Sequence, residues 1–316
     1  MWFKTILRRR GAPASAAPRR GGPFRANEAM LRRLERLTVD ASRSLQGNPN
    51  SGEHPSRHQL PMAIFSEHRP YSPGDDYRTV DWNAYARHEQ VVVKLGEAEQ
   101  DVDVHVLVDC SRSMDYGAPS KLVAAQQFAA AVGYIALAHS DRVRVTPFSA
   151  ARLAGFGPAQ GKGRAPELLR FIERLAPASA TSLADVLRGY ARQHERGGLL
   201  VICSDLLAAP ADTLSEGLRS LTPPRWQVLV AHTLEAGELS PALGGLVDLE
   251  DAETGERIAV QLDEAALQQY RQNVERWQRE IAEACGRYGA SYVQVLADWP
   301  FERAVLPYLR LRRMVR

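Results

Sequence analysis

The chain has 316 residues, of which 45% are hydrophobic and 24% are charged, and its formal net charge is +3 at pH 7. This is the composition of a globular protein with enough chain for one large domain or two modest ones, and so small a net charge gives no reason to expect nucleic acid as a partner. The three cysteines are far apart and contain no Cys-x-x-Cys pair, so neither a disulfide framework nor a thiolate zinc site is indicated, and buried free thiols are expected.

Residues 1–25 are rich in arginine, proline, glycine and alanine, and they lack the apolar stretch of a secretory signal. We therefore expect a basic flexible arm at the start of a cytoplasmic protein. A few apolar side chains beside arginines near residue 6 are also compatible with peripheral contact to an anionic membrane, although a plain tail explains them equally well. No transmembrane segment is expected, because the most apolar later stretch, residues 122–138, contains two glutamines and indicates a buried helix.

Residues 26–100 are expected to form an N-terminal helix followed by a region of short strands. Apolar residues recur at helical spacing up to residue 45, and a segment rich in glycine, proline and asparagine then breaks the pattern. The strand region contains the sequence YSPGDDYRTVDW. Its aspartates are better explained as caps for backbone amides in a turn than as a second metal site.

From residue 101 to about residue 300, short apolar runs alternate with helix-like segments. This pattern predicts an α/β fold with a doubly wound, mainly parallel sheet flanked by helices and preceded by the small β-containing N-terminal region. The glycine-rich residues 155–164 are expected to form a surface loop, since they do not match the spacing of a phosphate-binding loop. Residues 245–262 are expected to form a hairpin, and residues 301–316 a basic C-terminal segment.

Oxygen-bearing side chains follow two of the predicted strands and open a predicted helix between them. Asp109, Ser111 and Ser113 form the pattern D-x-S-x-S directly after an apolar run, Asp205 ends a second run, and Thr181 lies between them. In an open α/β sheet, ligand sites lie at the carboxyl ends of strands where the strand order reverses. Because all five donors are oxygens, the pattern predicts a site for Mg²⁺, with Mn²⁺ or Ca²⁺ as alternatives.

The D-x-S-x-S pattern is also compatible with structures that bind no metal. On its own it is more typical of an Asx-type turn that joins a strand to a helix, and only its combination with Thr181 and Asp205 favours a metal. A haloacid-dehalogenase-like nucleophile is excluded because Ser111 replaces the second aspartate of that motif. A serine hydrolase would need a flanking G-x-S-x-G, which is absent, and a neighbouring base. Three histidines are candidates for such a base: His139, His194 and His232.

The five-residue constellation resembles the metal-ion-dependent adhesion site of von Willebrand factor A domains. The resemblance implies one Mg²⁺ held by Asp109, Ser111, Ser113 and Thr181, with Asp205 acting through another ligand or as an alternative ligand. It also implies an open coordination position that accepts a carboxylate from a protein partner.

A longer pattern upstream of the site resembles the bacterial family called domain of unknown function 58, which carries it before an A-type domain. Val80 stands where the family pattern has isoleucine. The residues that match are Arg69, Tyr71, Gly74, Asp75, Arg78, Asp81, Trp82, Ala86 and Arg87. This resemblance implies an adaptor that acts with a MoxR-type AAA+ ATPase in the assembly or activation of protein complexes.

The expected function is therefore a non-catalytic, Mg²⁺-dependent protein-binding module. The alternative is a metal-dependent hydrolase in which the same cation activates water. A positioned base near the metal would distinguish the two, and the sequence around the ligand segments offers no convincing base. Binding of nucleic acid is not expected.

Overall fold

The computed structural model describes residues 5–9, 24–26, 29–33, 35, 64–72, 80–88, 90–97, 102–149, 154–179, 182–207, 211–241, 245–251, 256–300 and 303–305. The strands in these ranges are β1 (Thr5–Arg9), β2 (Ile64–Pro70), β3 (Val92–Glu97), β4 (Asp103–Asp109), β5 (Arg142–Phe148), β6 (Phe156–Gln160), β7 (Gly198–Ser204), β8 (Trp226–Leu234), β9 (Gly245–Asp251), β10 (Arg257–Leu262) and β11 (Ser291–Leu296). The helices are α1 (29–33), α2 (Trp82–His88), α3 (Lys121–Ala138), α4 (Ala165–Glu173), α5 (Leu183–Gln193), α6 (Ala211–Leu218), α7 (Ala236–Leu239) and α8 (Glu264–Arg287). Short 3₁₀ helices span Arg112–Asp115 and Lys162–Arg164, and residues 303–305 are helical.

The chain divides into two compact units. The smaller unit comprises residues 42–101, and the larger comprises residues 1–41 together with residues 102–316. The N-terminal helix, expected to share a region with the short strands, thus belongs to the larger unit instead. The physical reason is apolar burial, because Phe24 and Met30 are buried members of the larger unit's core.

A six-stranded sheet forms the centre of the larger unit, in the order β11-β8-β7-β4-β5-β6. Neighbouring strands are parallel except for β5 and β6, which confirms the predicted α/β class with a mostly parallel central sheet flanked by helices. The chain leaves β4 towards β5 and leaves β7 towards β8, on opposite sides. The strand order therefore reverses between β4 and β7, which is where a ligand site is expected in this class of sheet.

Each face of this sheet packs on helices. Apolar side chains of α3 and α4 cover one face, and those of α5, α6 and α8 cover the other. Helix α3 is apolar nearly all round, as a helix in the middle of a core must be. Among the described residues it alone has the length and composition of a membrane-spanning helix, but 89% of it is buried inside the protein. This agrees with the buried helix predicted for residues 122–138.

Two segments differ from their predicted local structure. Residues 5–9, expected in a flexible arm, form β1, which pairs with β9 and fills an edge of the sheet β1-β9-β10. Residues 156–160, expected in a loop, form the antiparallel edge strand β6. Gly157 makes this pairing possible, since its φ is +92° and a Cβ atom there would collide with the carbonyl oxygen of Val143. The hairpin predicted for residues 245–262 is confirmed by the antiparallel pairing of β9 with β10.

In the smaller unit, β2 pairs with β3 in antiparallel register, as predicted for a short-strand region. The Asp81 side chain accepts a hydrogen bond from the Ala84 amide at 3.1 Å at the start of α2. The capping role predicted for the aspartates of this turn is therefore confirmed at Asp81. Asp75 and Asp76 lie outside the described residues.

Candidate functional site

Asp109 is the last residue of β4, and its carboxylate is buried at the carboxyl end of the sheet. One carboxylate oxygen accepts a hydrogen bond from the Ser111 amide at 2.9 Å, and the other accepts one from the Ser204 hydroxyl at 2.5 Å. These bonds fix the plane of the carboxylate. The Ser111 side chain also bonds to this carboxylate, which keeps acceptor capacity for one further partner because an ionised carboxylate can accept about four hydrogen bonds.

Ser111 and Ser113 begin the chain segment that follows β4. Their hydroxyl oxygens lie 3.0 Å apart, and both residues are buried. Ser111 also forms a parallel bridge with Ala178. Three of the predicted metal ligands are therefore brought together at one point. Thr181 lies outside the described residues, between this bridge and Ser182, whose hydroxyl caps α5.

Asp205 follows β7, the neighbour of β4, and is almost completely buried. One of its carboxylate oxygens accepts a hydrogen bond from the Leu207 amide at 3.2 Å, and the Ser113 side chain also bonds to the carboxylate. The next residue, Leu206, has a φ of +54°, a conformation that costs energy for a side chain of this kind. Strained backbone of this sort is concentrated at functional sites, and here it turns the chain directly after Asp205.

Lys121 was not predicted to belong to the site. It is the first residue of α3, is completely buried, and places its Nζ atom 2.8 Å from Asp205 Oδ2 and 2.5 Å from Glu238 Oε1. Glu238 is held in turn by the Glu235 amide, which donates to its other carboxylate oxygen. The second predicted acidic ligand is thus already paired with an internal cation. A single charged residue at the start of an otherwise apolar helix was the signal in the sequence that could have indicated this ion pair.

The charges of the site shift the pKa of each group. Burial, and then the nearby charge of Asp205, raise the pKa of Asp109 to about 6. Burial also acts to raise the pKa of Asp205, but the charge and hydrogen bond of Lys121 outweigh it, so the net pKa is lowered. Burial by itself lowers the pKa of Lys121, and the two carboxylates reverse this effect and raise it. Asp205 and Lys121 therefore form a fixed ion pair, whereas the Asp109 carboxyl has no cation partner in the part of the chain that the structure describes.

The three candidate histidines lie in different places. His232 is buried beside Asp205, but one ring nitrogen contacts the Asp205 carbonyl oxygen at 2.9 Å and the other contacts the Tyr292 hydroxyl at 2.8 Å. His194 ends α5 and His139 ends α3, and both helix ends lie at the opposite, amino-terminal edge of the sheet. All three cysteines are free and buried, as predicted: Cys110, Cys203 and Cys285.

Within the described ranges, no group of three or more histidine, cysteine, aspartate or glutamate side chains could hold a metal ion. A metal at this edge of the sheet would therefore depend on hydroxyl ligands. The side chains of Asp109, Ser111 and Ser113 offer only oxygen atoms, and such a set of donors fits a hard divalent cation. The three residues are close together, because Ser111 forms hydrogen bonds with both Asp109 and Ser113.

Comparison with known proteins identifies the family. The family model described as protein of unknown function DUF58 matches residues 67–281, more than half of the chain. The chain belongs to this family. The DUF58 match includes the D-x-S-x-S segment, Lys121, Asp205 and Glu238. The chain is also 28% identical over 291 residues to uncharacterized proteins of Mycobacterium bovis and Mycobacterium tuberculosis, covering 90% of this chain and 89% of theirs.

A solved structure with some likeness to this DUF58 protein is that of the conserved hypothetical protein BatB from Bacteroides thetaiotaomicron. The two share 17% sequence identity and superpose with a TM-score of 0.41, over 67% of this chain and 98% of that one.

Proposed function

We propose that this DUF58 protein is a non-catalytic, Mg²⁺-dependent protein-binding module with a von Willebrand factor A-like fold. The observation that carries the proposal is the convergence of Asp109, Ser111 and Ser113 at the point where the strand order reverses. Mg²⁺ is the preferred ion, and Mn²⁺ or Ca²⁺ would suit the same oxygen donors. Thr181 is proposed as a fourth ligand on sequence grounds alone.

The balance of charge at the site supports a divalent cation. Asp109, Asp205 and Glu238 supply three carboxylates, and Lys121 supplies one ammonium group. When all are ionised, the four groups together carry a net negative charge, which favours a cation at this edge of the sheet. A cation beside Asp109 would also offset the burial and repulsion that raise its pKa.

Lys121 explains why such a site would need a partner. Its ammonium group already holds one oxygen of Asp205, whereas Asp109 pairs with no cation in the described ranges. The Ser111 and Ser113 hydroxyls are neutral donors that neutralise little of a cation's charge. A bound Mg²⁺ would therefore remain electrophilic and attract an aspartate or glutamate carboxylate from another protein.

The proposed partner is a MoxR-type AAA+ ATPase or the client protein on which it acts, and the proposed compartment is the cytoplasm. The partner rests on the family resemblance, and the compartment rests on the three free, buried cysteines.

The alternative function, a metal-dependent hydrolase, would need a base next to the metal to activate water. His232 is the histidine nearest to the site in the sheet, and both of its ring nitrogens are engaged by Asp205 and Tyr292. Burial lowers its pKa to about 4, which makes it a weak base. For this reason the binding module is preferred.

The first test is calorimetric titration of Mg²⁺ into the wild-type protein and the Asp109→Asn variant. Asparagine keeps the size of the side chain and one acceptor for the Ser111 amide, but it removes the charged metal ligand. Asp263→Asn is the matched control, because Asp263 is an exposed helix cap and asparagine caps helices equally well. We expect Mg²⁺ binding by the wild type and the control and none by Asp109→Asn.

Equal Mg²⁺ affinity in Asp109→Asn would overturn the metal site. The partner is tested separately, by co-precipitating a purified MoxR-type ATPase from the same genome with the protein in Mg²⁺ and in EDTA. We expect recovery in Mg²⁺ alone, with loss in Asp109→Asn. If Mg²⁺ binds but the ATPase is recovered equally with EDTA, the metal site stands and the metal-dependent binding of this partner is wrong.

A further inference from the structure

A cleft of about 420 Å³ lies at the amino-terminal edge of the large sheet, opposite the metal site. Asp103 and His105 of β4, Arg142 and Arg144 of β5, and the turn after α5 line it. The register of the sheet brings these side chains together, because Asp103 is level with Arg142 and His105 is level with Arg144. Its volume is within the usual range for small-molecule sites.

The cleft carries an excess of positive charge. Four arginines line it, two from β5 and two, Arg192 and Arg196, from the end of α5 and the turn that follows, against the acidic residues Asp103 and Glu195. The difference is two positive charges. Arg142 pairs with Asp103 at 3.4 Å, whereas Arg144, Arg192 and Arg196 form no ion pair with any residue in the described ranges.

Two polar groups in the wall of the cleft have unused hydrogen-bonding capacity. His105 is 2% exposed, and its Nε2 atom makes no hydrogen bond in the described part of the chain, as is also true of Arg144 Nε. The Gly197 backbone lies beside the ring, but without hydrogen-bond geometry to Nε2. His105 Nδ1 contacts the Tyr190 hydroxyl at 2.9 Å. When Tyr190 donates this bond, Nε2 carries the ring proton and is a donor, and leaving a buried donor without a partner costs about 1–3 kcal/mol.

One feature opposes an anion here, namely the C-terminal end of α5, whose carbonyl groups carry partial negative charge. The structure contains a compensation. The Arg225 guanidinium donates hydrogen bonds to the carbonyl oxygens of Ala191 and His194, at 3.1 and 3.3 Å. These bonds place a further positive charge at the helix end and occupy the carbonyls that would repel a ligand.

We propose that this cleft binds a small organic phosphate monoester, with Arg144 and Arg192 as its principal cationic contacts and His105 Nε2 as a neutral donor. A phosphate monoester carries close to two negative charges at pH 7, which matches the excess charge of the cleft. Guanidinium groups bind phosphate through paired hydrogen bonds. The volume also exceeds that of a bare phosphate ion, so there is room for the organic part of the ligand. This site is independent of the metal site and of the protein partner proposed above.

The test is calorimetric titration of glucose 6-phosphate and, separately, of inorganic phosphate into the full-length wild-type protein in EDTA. The variant Arg144→Gln/Arg192→Gln removes two cations from the cleft. Arg276→Gln/Arg279→Gln removes the same charge from the exposed surface of α8 and is the matched control. We expect the cleft variant to lose at least about tenfold in affinity for glucose 6-phosphate and the control to lose less than about twofold.

Three results would overturn the proposal: no binding of glucose 6-phosphate by the wild type, equal loss in the two double variants, or tighter binding of inorganic phosphate than of the ester. A variant that fails to fold is recognised by circular dichroism. In that event the single variant Arg192→Gln, at an exposed position on α5, is measured against Arg276→Gln, and equal affinities for the ester then count against the proposal.

Discussion

The two edges of the large sheet are built by the same strands and carry opposite charge. At the carboxyl edge, carboxylates and hydroxyls converge and a buried lysine partly neutralises them. At the amino edge, arginines surround a cleft and remain largely in contact with solvent. Strand β4 contributes to both, with Asp103 and His105 at one end and Asp109 at the other. Its buried valines and leucine belong to the core of the protein, and its charged and polar side chains lie towards its two ends.

Burial, more than the number of charges, decides how strongly each edge depends on its ion pairs. Lys121 and Asp205 are almost completely shielded from water, so neither charge can be left alone without a large cost. Arg142 is 36% exposed, so water and salt can replace its partner Asp103. Substitutions on each edge test this difference.

The largest effect is expected for Lys121→Met, which leaves Asp205 and Glu238 buried without their cation. We expect the free energy of unfolding in EDTA to fall by about 3–5 kcal/mol. Urea denaturation measures it. Lys162→Met is the matched control, because Lys162 pairs with Glu35 at 3.0 Å on the exposed surface, where water and salt screen the charges, so its loss should lower the free energy of unfolding far less.

The same variant sharpens the metal proposal. Without Lys121, Asp205 is free to face a cation, so Mg²⁺ should stabilise Lys121→Met more than it stabilises the wild type. An equal loss of unfolding free energy in Lys121→Met and Lys162→Met would show that burial does not determine how much the ion pairs at the carboxyl edge contribute to stability. Equal stabilisation of the wild type and of Lys121→Met by Mg²⁺ would show that Asp205 does not interact with the metal.

At the amino edge, a change of pH is expected to have an intermediate effect on the free energy of unfolding. Burial, followed by the charge of His194, lowers the pKa of His105 to about 4, with Asp103 opposing and Arg144 adding to the shift. In the unfolded chain His105 has its ordinary pKa of about 6.5, so the unfolded state takes up a proton first as the pH falls. This residue should therefore lower the free energy of unfolding by about 2 kcal/mol between pH 6.5 and pH 4.5.

Urea denaturation across this pH range measures the effect, and His105→Asn is the comparison. Asparagine can keep a hydrogen bond to Tyr190 without titrating, so the pH dependence should be shallower in the variant by the stated amount. Identical pH dependence in the two proteins would contradict a neutral, buried His105.

The smallest effect is expected for Arg142→Gln, which removes the partly exposed ion pair with Asp103. The free energy of unfolding should fall by less than about 0.5 kcal/mol, and added salt should shrink the difference because it screens exposed charges. Urea denaturation at low and at high ionic strength measures the loss of unfolding free energy and its dependence on salt. A loss above about 2 kcal/mol that is insensitive to salt would mean that this edge behaves like the buried one.

Local sequence was sufficient to predict the α/β class and the order of most elements. Alternating apolar runs and capped helices carry this information, as at Ser120, whose hydroxyl caps α3 by accepting from the Val123 amide. Local sequence also predicted that Asp109, Ser111 and Ser113 would lie together, because they are separated by single residues at the end of one strand. Features of this kind depend on spacing within a single segment.

The remaining features depend on contacts between distant segments. Lys121 and Asp205 are 84 residues apart, and Lys121 and Glu238 are 117 apart, so their ion pairs depend on how the strands are ordered in the sheet. The same holds for the pairing of β1 with β9 and for Gly157 against Val143, where an edge strand formed in place of a loop. Periodicity within one segment carries no information on which distant segment lies beside it, and those distant contacts determine which charges are buried together.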